Sequence, residues 1–364
     1  MNIKINISAT LAGLLLTAAL AASCTKIHTV PDNDPQEIAM KTPVMTKAAG
    51  EWEGPFGLFA YSTSAQSGTD WTSVWAGSLP YLNNVAFKKQ GEYWLGWDPA
   101  SQTHHAYNYP LTGSLLFAGY SPHQEASEGT VTNVTLNSNA ADLNPYLAVT
   151  FSHVTENVAT ADRTYKKADV TKMPDLMWFD VKDANAGKTA AKTSDAIALT
   201  FRHALSKVSL KFTDTGSWYR LKDVRLTGCI YSGTFYSGRT AGWMPDIQHV
   251  ADYILPIQTQ TQDDKTIYPV LQGQTFDDLF IIPQYLNGIF PVLGGTVESE
   301  VDVKLVFTVT DGYAFGEQTV EILLKDHTER WEMGKHYTYN IAVNADPIDF
   351  GAPTVTITQQ TVLM

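Results

Sequence analysis

The chain is nearly without cysteine: among 364 residues only Cys24 and Cys229 carry a thiol. Two thiols allow at most one cross-link, so the fold must rely on the size of its core. Charge is also sparse, at 17% of residues with a net charge of -12. The only adjacent basic pairs are Lys88-Lys89 and Lys166-Lys167. Nothing here forms a cationic stripe, which excludes nucleic acid as a partner class. Heptads, amphipathic helix patterns and fixed-period repeats are missing too, so coiled coils and solenoids are excluded.

Recognisable catalytic or metal chemistry is scarce. No H-E-x-x-H or paired-cysteine spacing occurs. His104 and His105 are adjacent, so on a strand they point to opposite faces and make a poor metal site. Asp32-Asn33-Asp34 opens like a calcium loop but lacks its glycine and closing glutamate. Gly119-Tyr120-Ser121-Pro122-His123 begins like a nucleophile elbow without its final glycine. Gly288 to Gly295 lacks the Lys-Ser/Thr of a phosphate loop. Asp263-Asp264 and Asp277-Asp278 are neighbours in sequence, not carboxylates facing each other across a cleft. Cys229, within Leu226 to Tyr231, reads as a buried small hydrophobe. The chain therefore reads as non-enzymatic, with no cofactor and no metal.

What is present begins at the N-terminus. Lys4 precedes an apolar run from Ala9 to Ala22. That run is too short to span a bilayer and suits an export signal over residues 1–23. It ends L-A-A-S-C, the pattern of a bacterial lipoprotein signal, with lipid on the Cys24 thiol as a membrane anchor. Residues 24–47 are polar and read as a pro-segment or tether. Their isolated apolar residues, Ile38, Met40, Val44 and Met45, leave room for one short strand. Thr46-Lys47-Ala48 then offers a trypsin-like protease the bond between Lys47 and Ala48.

From Phe56 onward short apolar runs alternate with turn residues. They predict strands over 56–61, 85–87, 93–97, 115–120, 130–136, 147–152 and 176–181. After a polar link at 183–195 come 221–226, 234–236, 279–283, 301–310, 318–324 and 337–343. The 25 glycines and 17 prolines are scattered as punctuation, as in an all-β sandwich. A turn at Asp311-Gly312 joins the strands on either side of it. Length favours two β-domains, 48–190 and 191–350, followed by a C-terminal strand at 351–364.

One stretch needs a bend. Ile197, Leu199 and Phe201 are apolar at odd positions, whereas Val208, Leu210 and Phe212 are apolar at even ones. A strand cannot shift parity without turning its buried set outward. A bulge or sharp bend is therefore expected within His203-Ala204-Leu205-Ser206-Lys207. Trp71, Trp75, Trp94 and Trp97 supply the rival functional reading, a surface lipoprotein that stacks sugar rings on tryptophan.

Taken in order, the motifs resemble the fimbrillin family, the Mfa-like and FimA-type subunits of Bacteroidales type V pili. Glu92-Tyr93-Trp94, then Leu116-Phe117-Ala118-Gly119-Tyr120-Ser121-Pro122, is similar to its Y-W and F-F-A-Y-x-P pattern. Phe201-Arg202-His203-Ala204-Leu205-Ser206-Lys207 resembles F-x-H-x-x-S-K, and Ile282-Pro283-Gln284 resembles I-P-Q. Trp331-Glu332-Met333-Gly334-Lys335-His336-Tyr337-Thr338-Tyr339 resembles W-x-x-G-x-x-Y-x-Y. The resemblance implies two transthyretin-like β-sandwich domains in tandem and a cell-surface fimbrium. It implies maturation at Lys47 and Ala48 by an Arg- or Lys-specific protease that removes an early strand. A strand from a neighbouring subunit then fills the groove. Val355, Ile357 and Leu363 would be the donor residues and other fimbrial subunits the partners. A tip, an anchor or an adhesin for a host or bacterial surface ligand are the other roles the resemblance allows.

Overall fold

The computed structural model describes residues 37–41, 46–47, 50–51, 54–63, 80–110, 114–138, 145–161, 164–179, 196–214, 219–237, 241–292, 295–298, 301–310, 316–343 and 354–361. The fold is all-β, interrupted among the described residues only by two single-turn 3-10 segments. Cys24, Ala48, Leu363, Trp71, Trp75, the 32–34 acidic run, the 183–195 link and the Asp311-Gly312 turn lie outside the described residues.

Four sheets carry the structure. The first has nine strands: β1 (Met40–Lys41), β4 (Phe56–Thr63), β5 (Leu82–Gln90), β6 (Tyr93–Asp98), β7 (Thr103–His104), β8 (Ser114–Ser121), β13 (Met177–Phe179), β14 (Ile197–Ala198) and β15 (Arg202–His203). Their order is β14-β1-β6-β5-β4-β8-β13-β15, with β7 beside β6. The second sheet orders β19 (Gly242–Pro245), β18 (Ser232–Tyr236), β10 (Pro145–Ser152) and β9 (Val131–Ser138). In the third lie β11 (Thr155–Ala159), β12 (Thr164–Ala168), β20 (Val250–Ile254), β17 (Arg220–Ile230), β27 (Lys304–Thr310) and β28 (Glu317–Leu323). The fourth orders β23 (Thr275–Ile281), β16 (Ser206–Asp214), β30 (Lys335–Val343) and β31 (Thr354–Thr361). Small ladders join β2 (Thr46–Lys47) to β3 (Gly50–Glu51), β21 (Gln260–Gln262) to β22 (Lys265–Ile267), β24 (Gln284–Tyr285) to β29 (Arg330–Trp331), and β25 (Ile289–Val292) to β26 (Gly295–Glu298).

Strands from both sides of residue 190 share three of these four sheets. The β11–β12 hairpin joins the third sheet through parallel pairing of Lys167 and Ala168 with Asp252 and Tyr253. In return, β18 pairs with β10 from Ala148↔Tyr236 to Ser152↔Ser232. This reciprocal placement ties the two parts of the chain together through backbone hydrogen bonds and through the core packed on each sheet. One cluster, including Leu147, Val149, Phe151, Trp178, Leu205, Phe235 and Ile282, draws on both parts.

The expected bend is present, and its cause is a change of sheet. Phe201 and Arg202–His203 belong to the first sheet's core and edge. By Ser206 the chain is in the fourth sheet, paired with Ile281. Ala204 and Leu205, both buried, make the crossing, and Leu205 packs in the shared cluster. Each sheet keeps its own alternation, so the parity changes where the sheets change. The crossing is pinned from several sides. Ala204 N–H donates to Leu176 O at 2.7 Å, Gly334 N–H to Leu205 O at 3.0 Å, and Ser206 Oγ to Glu332 O at 2.8 Å.

The two conspicuous side chains of this crossing are structural. His203 Nδ1 lies 2.6 Å from Asp175 Oδ2, and Lys207 Nζ lies 2.5 Å from Asp278 Oδ1. Burial pulls the His203 imidazole down, but the hydrogen bond and charge of Asp175 outweigh it and hold its pKa above the ordinary value. Buried His153 behaves oppositely: desolvation lowers its pKa to about 3, and it rests neutral with Nδ1 2.6 Å from the Tyr253 hydroxyl. Cys229 is fully buried in the core, and burial pushes its thiol pKa up.

Sequence periodicity finds β18, at 234–236, but misses the other strands that interlock the molecule. The β11–β12 hairpin is polar, with no fully buried residue before Ala168. In β27 the alternating Val303, Leu305, Phe307 and Val309 are buried; Val301 is 40% exposed because the strand begins only at Lys304, and Val306 is buried on the other face.

Two outcomes are expected. Phe235→Ala should cost about 3–5 kcal/mol in chemical denaturation, moving the tryptophan-fluorescence and far-ultraviolet dichroism curves together; separation of the two would deny the interlock. A raised folded-state pKa means that the His203 contribution is complete below the unfolded value of about 6.5 and fades as pH rises through the folded value. The stability gap between wild type and His203→Ala should therefore narrow from pH 5.5 to pH 8.5. Measuring the gap cancels the opposite slope from His153, and a widening gap would refute the ion pair.

Candidate functional site

The most unusual placement in the molecule is that of residues 37–41. Glu37-Ile38-Ala39-Met40-Lys41 alternates as a strand should, and Ile38 and Met40 are fully buried while Lys41 is exposed. The tether thus contributes core. Both side chains pack with Phe56, Leu58, Phe87, Trp94, Tyr109, Ile197, Leu199 and Phe201. The trough is strongly aromatic: Phe56 has ring centroids 5.4 Å from both Trp94 and Phe201, and Phe201 lies 5.0 Å from Phe179.

The segment is hydrogen-bonded on both sides. On one bank Ile38 N–H donates to Tyr107 O at 2.7 Å, Glu37 bridges Asn108, and Met40 stands opposite Trp94 in antiparallel register. On the other bank β14 runs parallel to it, with Ile197 N–H donating to Ala39 O at 3.0 Å and Leu199 N–H to Lys41 O at 2.9 Å. Gly96 permits the first bank to close. A Cβ there would collide with the His105 carbonyl and the Tyr107 ring, and only a residue without one lets segment 105–107 lie against β6. At the open end His104 Nε2 meets Glu37 Oε1 at 2.5 Å.

Magnitudes rank these contacts. Burying Ile38 and Met40 is worth about 1.5–3 kcal/mol each, and each backbone hydrogen bond about 0.5–1.5 kcal/mol. The Glu37–His104 pair, with side chains 30% and 40% exposed, adds at most about 1 kcal/mol. Core side chains hold the strand; the ion pair trims one end.

The remaining sequence candidates fall elsewhere. Lys47 closes β2 opposite Gly50 in a two-residue hairpin ladder, so the chain doubles back beside the expected cleavage point. The strand carrying Val355 and Ile357 pairs within the same chain, antiparallel to β30, with Val355↔Ile341 and Ile357↔Tyr339. It ends its sheet, with β30 its sole partner among the described strands. Trp94 is 2% exposed and locked against Phe56, so it presents no ring to a sugar. Trp97 is half-buried, and Lys88 Nζ sits 4.3 Å from its ring centroid. Ser121 is fully buried, and His123 Nε2 faces Asn84 O at 3.3 Å. Among the described residues no group of three or more His, Cys, Asp or Glu could hold a metal ion.

Part of this trough is legible in the sequence: Ile197, Leu199 and Phe201 read as one apolar face, Trp94 as part of a strand, and Ile38 and Met40 as leaving room for one short strand. The pairing of residues 37–41 with β14 and with segment 107–108 is not, because no local pattern encodes a distant neighbour.

Comparison with known proteins gives one consistent result. A family model described as fimbrillin-like matches residues 46–361. No curated protein matches the sequence. Among solved structures, a fimbrial protein from Bacteroides vulgatus is similar at 16% identity and a TM-score of 0.52, covering 90% of this chain and 100% of that one. The tip fimbrial protein Mfa3 of Porphyromonas gingivalis aligns at 10% identity and a TM-score of 0.38, over 89% and 97% of the two chains. For the fimbrial anchor protein Mfa2 of the same organism the values are 9% and 0.29, over 90% and 99%.

Met40→Ala is expected to destabilise the intact chain by about 2–5 kcal/mol, whereas Lys41→Ala should stay within about 0.5 kcal/mol. Denaturant titration checks both, and equal effects would show that the segment is not seated in the trough.

Proposed function

Because the chain belongs to the fimbrillin-like family, we propose that it is a structural subunit of a cell-surface fimbria, exported as a lipoprotein on Cys24 and polymerised by strand exchange. The observation that carries this reading is the seat of β1. A strand held by side chains at two alternate positions, upstream of a protease-sensitive Lys47–Ala48 bond, is a removable filler. Cleavage disconnects it from β4 and from the rest of the chain. Its departure would expose unpaired backbone groups on β14 and on segment 107–108, beside an apolar trough, a combination that recruits an extended strand.

The C-terminal strand has the matching chemistry. Residues 354–361 carry no charge. Val355 and Ile357 stand two apart, as Ile38 and Met40 do, so both can enter one face of a strand seat. Thr356 then takes the place of Ala39. The strand lies at a sheet edge and can leave without breaking a central ladder. Other copies of this chain, or related subunits, are the partners. Lipid on Cys24 holds the precursor at the outer membrane before maturation.

Tryptic treatment of the purified precursor, followed by an unboiled denaturing gel, tests this function. A ladder of multimers should appear after loss of residues 24–47 and should vanish when residues 354–364 are deleted. A cleanly cut protein that stays monomeric, or a ladder indifferent to that deletion, would overturn it.

A further inference from the structure

Cleavage and release need not be one event, and the geometry separates them. Among the described residues, the hydrogen bonds and the ion pair of the seat run from residues 37–41 to residues 94–109 and 197–199, and its apolar packing goes to the cluster that holds Phe56, Phe87 and Phe201. The Lys47–Ala48 bond lies outside that set, so cutting it removes a covalent link and none of the contacts. Resting on the function above, we propose that the cut leader stays seated in its own subunit. The lipid-bearing segment then holds the subunit until an incoming strand displaces it, beginning at Lys41 and finishing at Glu37.

The direction follows from how the contacts are distributed. At the Glu37 end three of them converge: the bridge to Asn108, the Ile38 N–H bond to Tyr107 O, and the ion pair with His104. Among the described residues, the last backbone bond at the Lys41 end is the one from Leu199 N–H. Lys41 is itself exposed and lies nearest the new chain end that cleavage creates. Fraying therefore starts at Lys41. It frees the Leu199 and then the Ile197 amide of β14, a two-point start for a new strand, while Glu37 and Ile38 still grip the opposite bank. Retention up to the moment of displacement also keeps the aromatic trough covered, so no cut subunit exposes it to solvent or to a wrong partner.

The test uses the precursor with an affinity tag in place of the signal segment. It is nicked to a single cut, verified by mass, and the tag is then captured at intervals. The remainder of the chain should stay with the tag for hours. His104→Ala or Glu37→Gln should shorten that lifetime about two- to fivefold, and the double variant no further than either single one. Met40→Ala should shorten it at least tenfold. A synthetic peptide of residues 351–364 should speed the loss in proportion to its concentration. Separation within the first capture interval would overturn retention, and a His104→Ala lifetime equal to wild type would overturn the proposed direction. Lasting retention that the peptide does not shorten would instead sink strand exchange while leaving retention standing. Peptide binding to a protein that has already lost its leader would do the reverse.

Discussion

An aromatic trough in a sheet cannot be left with bare backbone along its rim. Unpaired amides and carbonyls beside apolar surface carry a desolvation cost that water cannot relieve there. In this protein that constraint falls on the gap between β14 and β6, and Met40–Lys41 fills it. Ile38 and Met40 seal the trough while the backbone of residues 37–41 satisfies both banks. Without that segment β14 would have no partner strand among the described residues. A short, weakly patterned segment thus decides whether a large core is complete. On the proposed function, the same arrangement would let the core accept a substitute strand.

The rest of the molecule is interlocked by strands distant in sequence. The β11–β12 hairpin lies in the third sheet and β18–β19 in the second, so strands distant in sequence are neighbours in the ladders. The crossing at Ala204 and Leu205 stitches the first sheet to the fourth, and bonds from Gly334 and Ser206 tie it to the 332–334 turn. On the proposed function, the first sheet would lose and regain the strand between β14 and β6 while the surrounding ladders keep their register.

Much of this was legible in the sequence because strands with one buried face advertise their period. The runs at 56–61, 93–97, 115–120 and 147–152 fall inside β4, β6, β8 and β10, and the parity change at 203–207 marked the crossing. Two kinds of feature were not legible. Polar, edge-like pieces such as the β11–β12 hairpin gain their place from partners far along the chain, and no local pattern encodes a parallel neighbour. The segment at 37–41, whose strand is only Met40–Lys41, carries too few apolar positions for the sequence to say more than that one short strand has room there, although it completes a core. Trp94 shows the opposite trap, a residue suited to sugar stacking that packs inside the cluster against Phe56.

The central claim is that the position of β1 is a replaceable one. Hydrogen exchange at the Ile197 and Leu199 amides, which donate to Ala39 and Lys41, tests it most directly. These amides should be protected in the intact chain, exchange rapidly once residues 24–47 are removed, and recover protection in the assembled multimer. Protection that stays the same in all three states would contradict the account.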